Sequence, residues 1–319
     1  MASTPENPQT APVAVLMFNR PEVTARVMER IFEARPSALY LVADGPRPGY
    51  PDDQALCDQT RASALNFEWD CPVHTNFADT NMGLKLRVGS GLDWVFEQTD
   101  QAIVLEDDCL ADPTFFRFAT ELLHRYADED HVGIISGNSF LRGEELDNNS
   151  YYFSTDSRIW GWATWSRVWK DFSKTGLHRE WGNAEVKDLC AKLDSPVRRK
   201  TLYGTAKNIA QLDTWDVAFV LNNLRRGYLN AMPKKNLVTN LGFGVESTHT
   251  KFESFTAEIP LAPLDFPLSH PARLVAHPAA GRVEAREHRW MWLLFPLTHP
   301  VDFAGRAWRY LKWRLSRRT

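Results

Sequence analysis

Unbroken apolar runs alternate with one-sided apolar stretches through the first 140 residues. Residues 13–18 (VAVLMF) form a continuous apolar run, as expected of a strand covered on both faces. Asn19, Arg20 and Pro21 then open a helix, with Pro suited to the first helical position, and Val23, Val27, Met28, Ile31 and Phe32 share one of its faces. Residues 38–43 (ALYLVA) make a second buried strand that ends in Asp44, Gly45 and Pro46, and residues 73–77 fit a third. A helix follows from about Leu86, with Val88, Leu92, Val95 and Phe96 on one side. Residues 102–105 form the next strand, Phe115, Phe118, Leu122 and Tyr126 mark another helix, and residues 132–136 a further strand. This alternation predicts an α/β fold with a mostly parallel sheet flanked by helices on both faces. Ligands of such sheets gather at the carboxyl ends of the strands. Three strand ends then bring polar groups to one edge: Asn19 with Arg20, Asp44, and the triplet Glu106, Asp107 and Asp108.

Beyond residue 150 the texture changes. Residues 158–169 (RIWGWATWSRVW) hold four of the twelve Trp without one clean period, which reads as a loop plus a short helix. A helix begins around Asp213 and carries Trp215, Phe219 and Leu224. Residues 240–250 (NLGFGVESTHT) are Gly-rich and polar, hence a loop. Residues 260–278 hold five Pro and read as irregular. The last segment, 301–319, sets six bases (Arg306, Arg309, Lys312, Arg314, Arg317, Arg318) against Asp302 alone, with Trp308, Leu311, Trp313 and Leu315 between them. That is +5 on a chain of net charge −3, so the remainder carries −8. A basic aromatic helix of this kind suits anionic lipid headgroups, or else docks on its own domain.

Composition narrows the classes. With 319 residues and 44% hydrophobic content, the chain can bury one large core, alone or with a small appendage. The small net charge gives no bulk argument for nucleic acid. Four cysteines (Cys57, Cys71, Cys109, Cys190) form no CxxC or Cys/His cluster, so neither structural zinc nor a disulfide scaffold is expected, and a reducing cytoplasm is the simplest setting. Residues 1–11 are polar and Pro-rich and read as a disordered lead-in rather than a signal peptide. No run of about eighteen apolar residues occurs.

Five constellations could carry chemistry. Three adjacent acids directly after an apolar run suit a divalent cation, since Mg2+ and Mn2+ prefer carboxylate oxygens and complete their shells with water and phosphate; the alternative is a solvated strand-end turn. In QLDTWDVAF (211–219), Asp213 fits an N-cap and Asp216 the third helical position, where both could satisfy backbone amides. Asp216 could instead be a carboxylate base facing a hydroxyl. Asp44 either accepts a hydrogen bond from a nucleotide or begins an Asp-Gly-Pro turn. Lys85 and Arg87, after Asn-Met-Gly at 81–83, suit an anion, though a capping turn explains that tripeptide equally. His249 is either a ligand or an ordinary loop residue.

In order along the chain, FNRP (18–21), ADGPRP (43–48), NMGLKLRV (81–88), IVLEDD (103–108), IWGWATW (159–165), DTWD (213–216) and GFGVESTHT (242–250) resemble the GT-A glycosyltransferases. More narrowly they resemble bacterial nucleotide-diphospho-sugar transferases similar to the eukaryotic N-acetylglucosaminyltransferases that carry an EDD motif. The resemblance covers residues 12–250 and implies a nucleotide-sugar-binding half (12–140) and an acceptor-binding half (141–250), with 251–319 as an irregular segment and basic tail. It implies a UDP-sugar donor with Mn2+ or Mg2+, the metal on Asp108 and, by analogy with other GT-A enzymes, His249. Glu106, Asp107, Arg20, Asp44, Lys85 and Arg87 would then serve the donor, and Asp216 would be the base of an inverting transfer. The second acid and second Trp of the relatives' WDDW-like segment are missing, since Val217 follows Asp216. Trp160, Trp162, Trp165, Asp213 and Trp215 are the acceptor-side candidates. The expected acceptor is a glycan or lipid-linked glycan of surface polysaccharide assembly, reached from the inner face of the cell membrane, with no nucleic-acid partner. The alternatives are a sugar nucleotidyltransferase, although FNRPEV is no Gly-rich phosphate loop, and a catalytically silent membrane-associated sugar-binding protein.

Overall fold

The computed structural model describes residues 9–67, 70–242 and 259–286, together with Leu297, Pro300 and Trp308. The first half runs β1 (Val13–Met17), α1 (Pro21–Ala34), β2 (Leu39–Ala43), α2 (Asp53–Leu65), β3 (Val73–Phe77), α3 (Leu84–Gln98), β4 (Gln101–Glu106), β5 (Cys109–Ala111), α4 (Pro113–Arg125) and β6 (Val132–Ser136). The second half runs β7 (Tyr151–Ser154), β8 (Trp162–Trp165), α5 (Ser166–Thr175), α6 (Asn183–Ala191), α7 (Pro196–Ala206), α8 (Asp216–Arg226), β9 (Leu229–Pro233) and β10 (Val238–Asn240).

One eight-stranded sheet has the order β3-β2-β1-β4-β8-β6-β9-β7. The β3-β2-β1-β4 ladder is wholly parallel, with a helix between each two strands consecutive in sequence. β8 then enters antiparallel between β4 and β6, β9 pairs parallel with β6, and β7 closes the edge antiparallel to β9. The protein is therefore α/β with four parallel and three antiparallel pairings in its main sheet. β1 and β2 are buried along their whole length, which is why they read as unbroken apolar runs. α1 has Pro at its start, and α4 is capped by Asp112, whose side chain accepts from the Thr114 amide at 2.9 Å.

Residues 158–169, expected as a loop plus a short helix, include the strand β8 ahead of α5. β8 has only four residues and all are buried, so it shows no alternation, and its Trp162 packs inward. Trp162, Trp169, Trp215, Phe172 and Phe219 form one aromatic cluster with ring centroids 5.0 to 6.5 Å apart. A separate apolar cluster joins α6, α7 and α8 through Val186, Leu189, Leu202, Val217, Val220 and Leu221. The Pro-rich stretch is irregular as expected and lies against the β7 edge. There the Ser150 amide donates to Ser269 O at 2.8 Å and the His277 amide to Phe153 O at 2.8 Å. Among the described residues no helix is long and apolar enough to cross a membrane.

Candidate active site

β1 and β4 run side by side with Leu16 opposite Glu106, so both chains leave the sheet at the same edge. The Asp107 amide donates to Leu16 O at 2.9 Å, and the Phe18 amide donates to Asp107 Oδ2 at 3.0 Å. Arg20, immediately before α1, reaches back over this edge. Its Nη1 lies 2.7 Å from Asp108 Oδ2 and 3.5 Å from Asp107 Oδ1. The β5–β10 ladder, with Asn240 opposite Cys109, carries a further partner in: Asn240 Nδ2 donates to Asp108 Oδ1 at 3.1 Å, and the Leu241 amide to Asp108 O at 2.7 Å. Gly242 follows, and a Cβ there would run into the Asp108 carboxylate and come within 3.0 Å of Arg20 Nη1. Only a residue without a side chain lets the backbone pass this close.

Electrostatics match the crowding. Burial raises the Glu106 carboxyl above the usual carboxylate range, and the charges of Asp108, Asp107 and Asp216 push it the same way while Arg20 opposes them. Burial likewise raises Asp107, against the pull of Arg20. Burial works against the Arg20 guanidinium, but Asp107, Asp108 and Glu106 outweigh it and raise its pKa.

At the end of β2, Asp44 is held in the turn that follows the strand. Its Oδ1 accepts from the Gly45 and Met82 amides, both at 2.8 Å, and its Oδ2 from Asn81 Nδ2 at 3.0 Å. Burial raises its pKa against these donors. Arg87 is not free for a phosphate. It is buried, its Nε donates to Ala43 O at 3.1 Å, and its Nη2 donates to Asn76 O and Oδ1 at 2.6 and 2.8 Å, tying β2 to β3. Lys85 stands on the first turn of α3, partly exposed. A partner set that the sequence did not point to is Asp53, which accepts from Asn19 Nδ2 at 2.9 Å and from Arg47 Nε and Nη2 at 2.6 and 2.8 Å. Arg47 also lies 5.3 Å from the Phe18 ring centroid. This cluster fixes the loop after β1 to the start of α2.

Asp213 does not cap the helix that follows it, since α8 begins at Asp216. It caps α3 from a distance: Oδ2 accepts from the Leu84 amide and Oδ1 from the Lys85 amide, both at 3.1 Å. Gly83 takes φ +80° here, and a Cβ on it would come within 2.8 Å of Asp213 Oδ2. Asp216 is the first residue of α8, not the third. Among the described residues its donors, the Val217 amide at 2.6 Å and the Thr214 hydroxyl, both reach Oδ1. Asp216 also lines a cavity of about 400 Å³ with Asn138, Phe140, Trp160, Arg158, Arg198 and Glu284. The acceptor-side tryptophans separate accordingly. Trp160 lines the cavity, whereas Trp162, Trp165 and Trp215 are core residues at 1%, 4% and 1% exposure and offer no face to a ligand. Core aromatics and stacking aromatics share one composition, and the missing period at 158–169 held no signal to part them.

His249 and most of the GFGVESTHT segment lie outside the described residues. Among the described residues no three His, Cys, Asp or Glu side chains form a group that could hold a metal. Asp108 alone still fits a cation completed by phosphate, because hard divalent ions are commonly held by one or two carboxylates plus substrate oxygens. Its Oδ2 is paired with Arg20 at 2.7 Å, and the Gly242 backbone passes close beside it.

No family model and no curated protein matches the chain. Solved structures do. An apo UDP-glucose pyrophosphorylase matches with a TM-score of 0.37 at 11% identity, covering 72% of this chain and 93% of that one. A UDP-glucose pyrophosphorylase complexed with UDP-glucose matches with a TM-score of 0.32 at 12% identity, over 52% and 80% of the two chains. Mouse xyloside xylosyltransferase 1 matches with a TM-score of 0.32 at 10% identity, over 69% and 84%. Likeness at this level has no bearing on activity.

Proposed function

We propose that the protein is a GT-A-type inverting glycosyltransferase that moves a sugar from a nucleoside diphosphate, UDP by the motif order, to a hydroxyl of a glycan or lipid-linked glycan. The observation that carries this reading is the place of Asp216. Its charge adds to the rise at Glu106, and its residue forms part of the wall of a cavity of about 400 Å³. On this reading the edge binds phosphate, the cavity takes the second substrate, and Asp216 is the base that serves them. Both of its donors hold Oδ1, so Oδ2 is the oxygen that takes the acceptor proton. As that proton leaves, the acceptor oxygen forms its bond to the anomeric carbon. The bond from that carbon to the diphosphate breaks on the opposite face, and the nucleoside diphosphate departs with the electron pair. A single displacement inverts the anomeric centre.

The donor side follows from the same geometry. Arg20, in contact with the acid cluster, would meet the diphosphate. Asp108 would hold Mn2+ or Mg2+, which supplies charge neutralisation on the leaving group when bound. Asp44, at the end of β2, would give the base or ribose contact. In the cavity, Trp160 and Phe140, with ring centroids 6.4 Å apart, offer apolar faces suited to a sugar ring. Residues 301–319 would hold the enzyme at the inner face of an anionic membrane; Trp308, 59% exposed, is the one residue of that segment described.

A thermal-shift screen of nucleotide-sugars with Mn2+ tests the reading, since a bound donor raises the melting temperature by mass action. We expect one nucleotide series, UDP-sugars first, to stabilise the protein and EDTA to remove most of the effect. No shift with any nucleotide-sugar would refute it.

A further inference from the structure

The Asp108 carboxylate is engaged on both oxygens. Oδ2 faces Arg20 Nη1 at 2.7 Å and Oδ1 faces Asn240 Nδ2 at 3.1 Å. Arg20 is 28% exposed at its side chain and Asp108 only 10%, so the guanidinium is the more accessible partner of the pair. Arg20 also neutralises Asp107 at 3.5 Å. A divalent cation approaching Asp108 therefore meets a positive charge already in its place, and two cations cannot share one carboxylate oxygen without strong repulsion. The guanidinium has an alternative partner of its own chemistry, because a diphosphate offers forked oxygens that an Arg binds in pairs.

We propose that Arg20 acts as a latch that makes divalent-cation binding at Asp108 conditional on a nucleoside diphosphate, an inference resting on the metal-assisted reading above. In the free protein the guanidinium closes Asp108. An arriving diphosphate draws it away, and the vacated Oδ2 and the phosphate oxygens together offer the cation its ligands. Cation and donor then bind cooperatively, and by linkage each strengthens the other by the same factor. Asn240, being neutral, does not oppose the ion and need not move. Arg20 is thus a positioning residue for the cation as well as a contact for the donor.

The test is Mn2+ binding followed by electron paramagnetic resonance of the free ion, with and without UDP, on the full chain. For the wild type we expect weak binding alone and at least about ten-fold tighter binding with UDP, within the usual range of coupling between sites. Arg20→Gln removes the competing charge and should bind Mn2+ without UDP about ten-fold more tightly than the wild type. Arg20→Lys keeps a cation at the site and should stay close to the wild type, which separates lost charge from lost fold. Arg20→Gln binding Mn2+ no more tightly than the wild type overturns the latch while leaving the metal reading intact. Mn2+ bound by no variant, with or without UDP, overturns both.

Discussion

The strand-end edge and the cavity lined by Asp216 are built on opposite terms. At the edge Asp107 has the Phe18 amide and Arg20, Asp108 has Arg20 and Asn240, and Asp44 has amides and Asn81. In the cavity wall Asp216 has both of its donors on one oxygen. The edge is an arrangement of charges that a charged ligand can replace. The cavity side holds a carboxylate that we propose as the base. The contrast sharpens within one turn of chain. Asp213 and Asp216 are three residues apart, yet among the described residues the first takes donors from α3 on both oxygens while the second takes both of its donors on one.

Several substitutions would break or sharpen this contrast. Asp216→Asn should slow transfer about 10²- to 10⁴-fold, the usual contribution of a general base, while leaving nucleotide affinity unchanged. Transfer rates from radiolabelled donor, paired with nucleotide titrations, check both halves; a joint loss of rate and affinity would move Asp216 to the donor side. Trp162→Ala should cost about 3–5 kcal/mol of stability by emptying the aromatic cluster, without altering acceptor preference. Urea unfolding measures it, and a small cost would mean that Trp162 does not hold the core. Asp53 is held near pKa 2, first by the Arg47 hydrogen bond. Its stabilisation is present above the ordinary carboxylate pKa and is lost as pH falls toward 2, so Asp53→Asn should cost up to about 2 kcal/mol at neutral pH and progressively less in acid. Urea midpoints across that window show whether the difference closes. Asp213→Ala should cost about 1 kcal/mol, the loss of a helix cap, with the transfer rate little changed.

The legibility of the chain followed the apolar residues. β1, β2, β4 and β6 carry buried apolar runs, and their strand ends could be brought to one edge from the order of elements alone. α2 had no such signal: its buried residues are Asp53, Cys57, Thr60 and Ala64, a helical face with no large apolar side chain. β8 was hidden because a four-residue strand buried on both faces shows neither a long run nor an alternation. The meeting of Arg20 with the 107–108 acids follows from β1 lying beside β4. What local spacing could not show were partners fixed by tertiary contact. Asp213 caps a helix 129 residues before it in the chain, and Asn240 reaches Asp108 across 132 residues through a three-residue strand. Arg87 looked like an anion contact because its position suits one, yet its guanidinium holds Ala43 and Asn76.

The central claim is that the edge at Asp108 holds a sugar nucleotide together with a divalent cation. Calorimetric titration of UDP into the wild type and Asp108→Asn, each with and without Mn2+, tests it most directly. The account predicts that Mn2+ strengthens UDP binding to the wild type and has little effect on the variant. Equal UDP affinities in all four titrations, or no UDP binding in any, would contradict it.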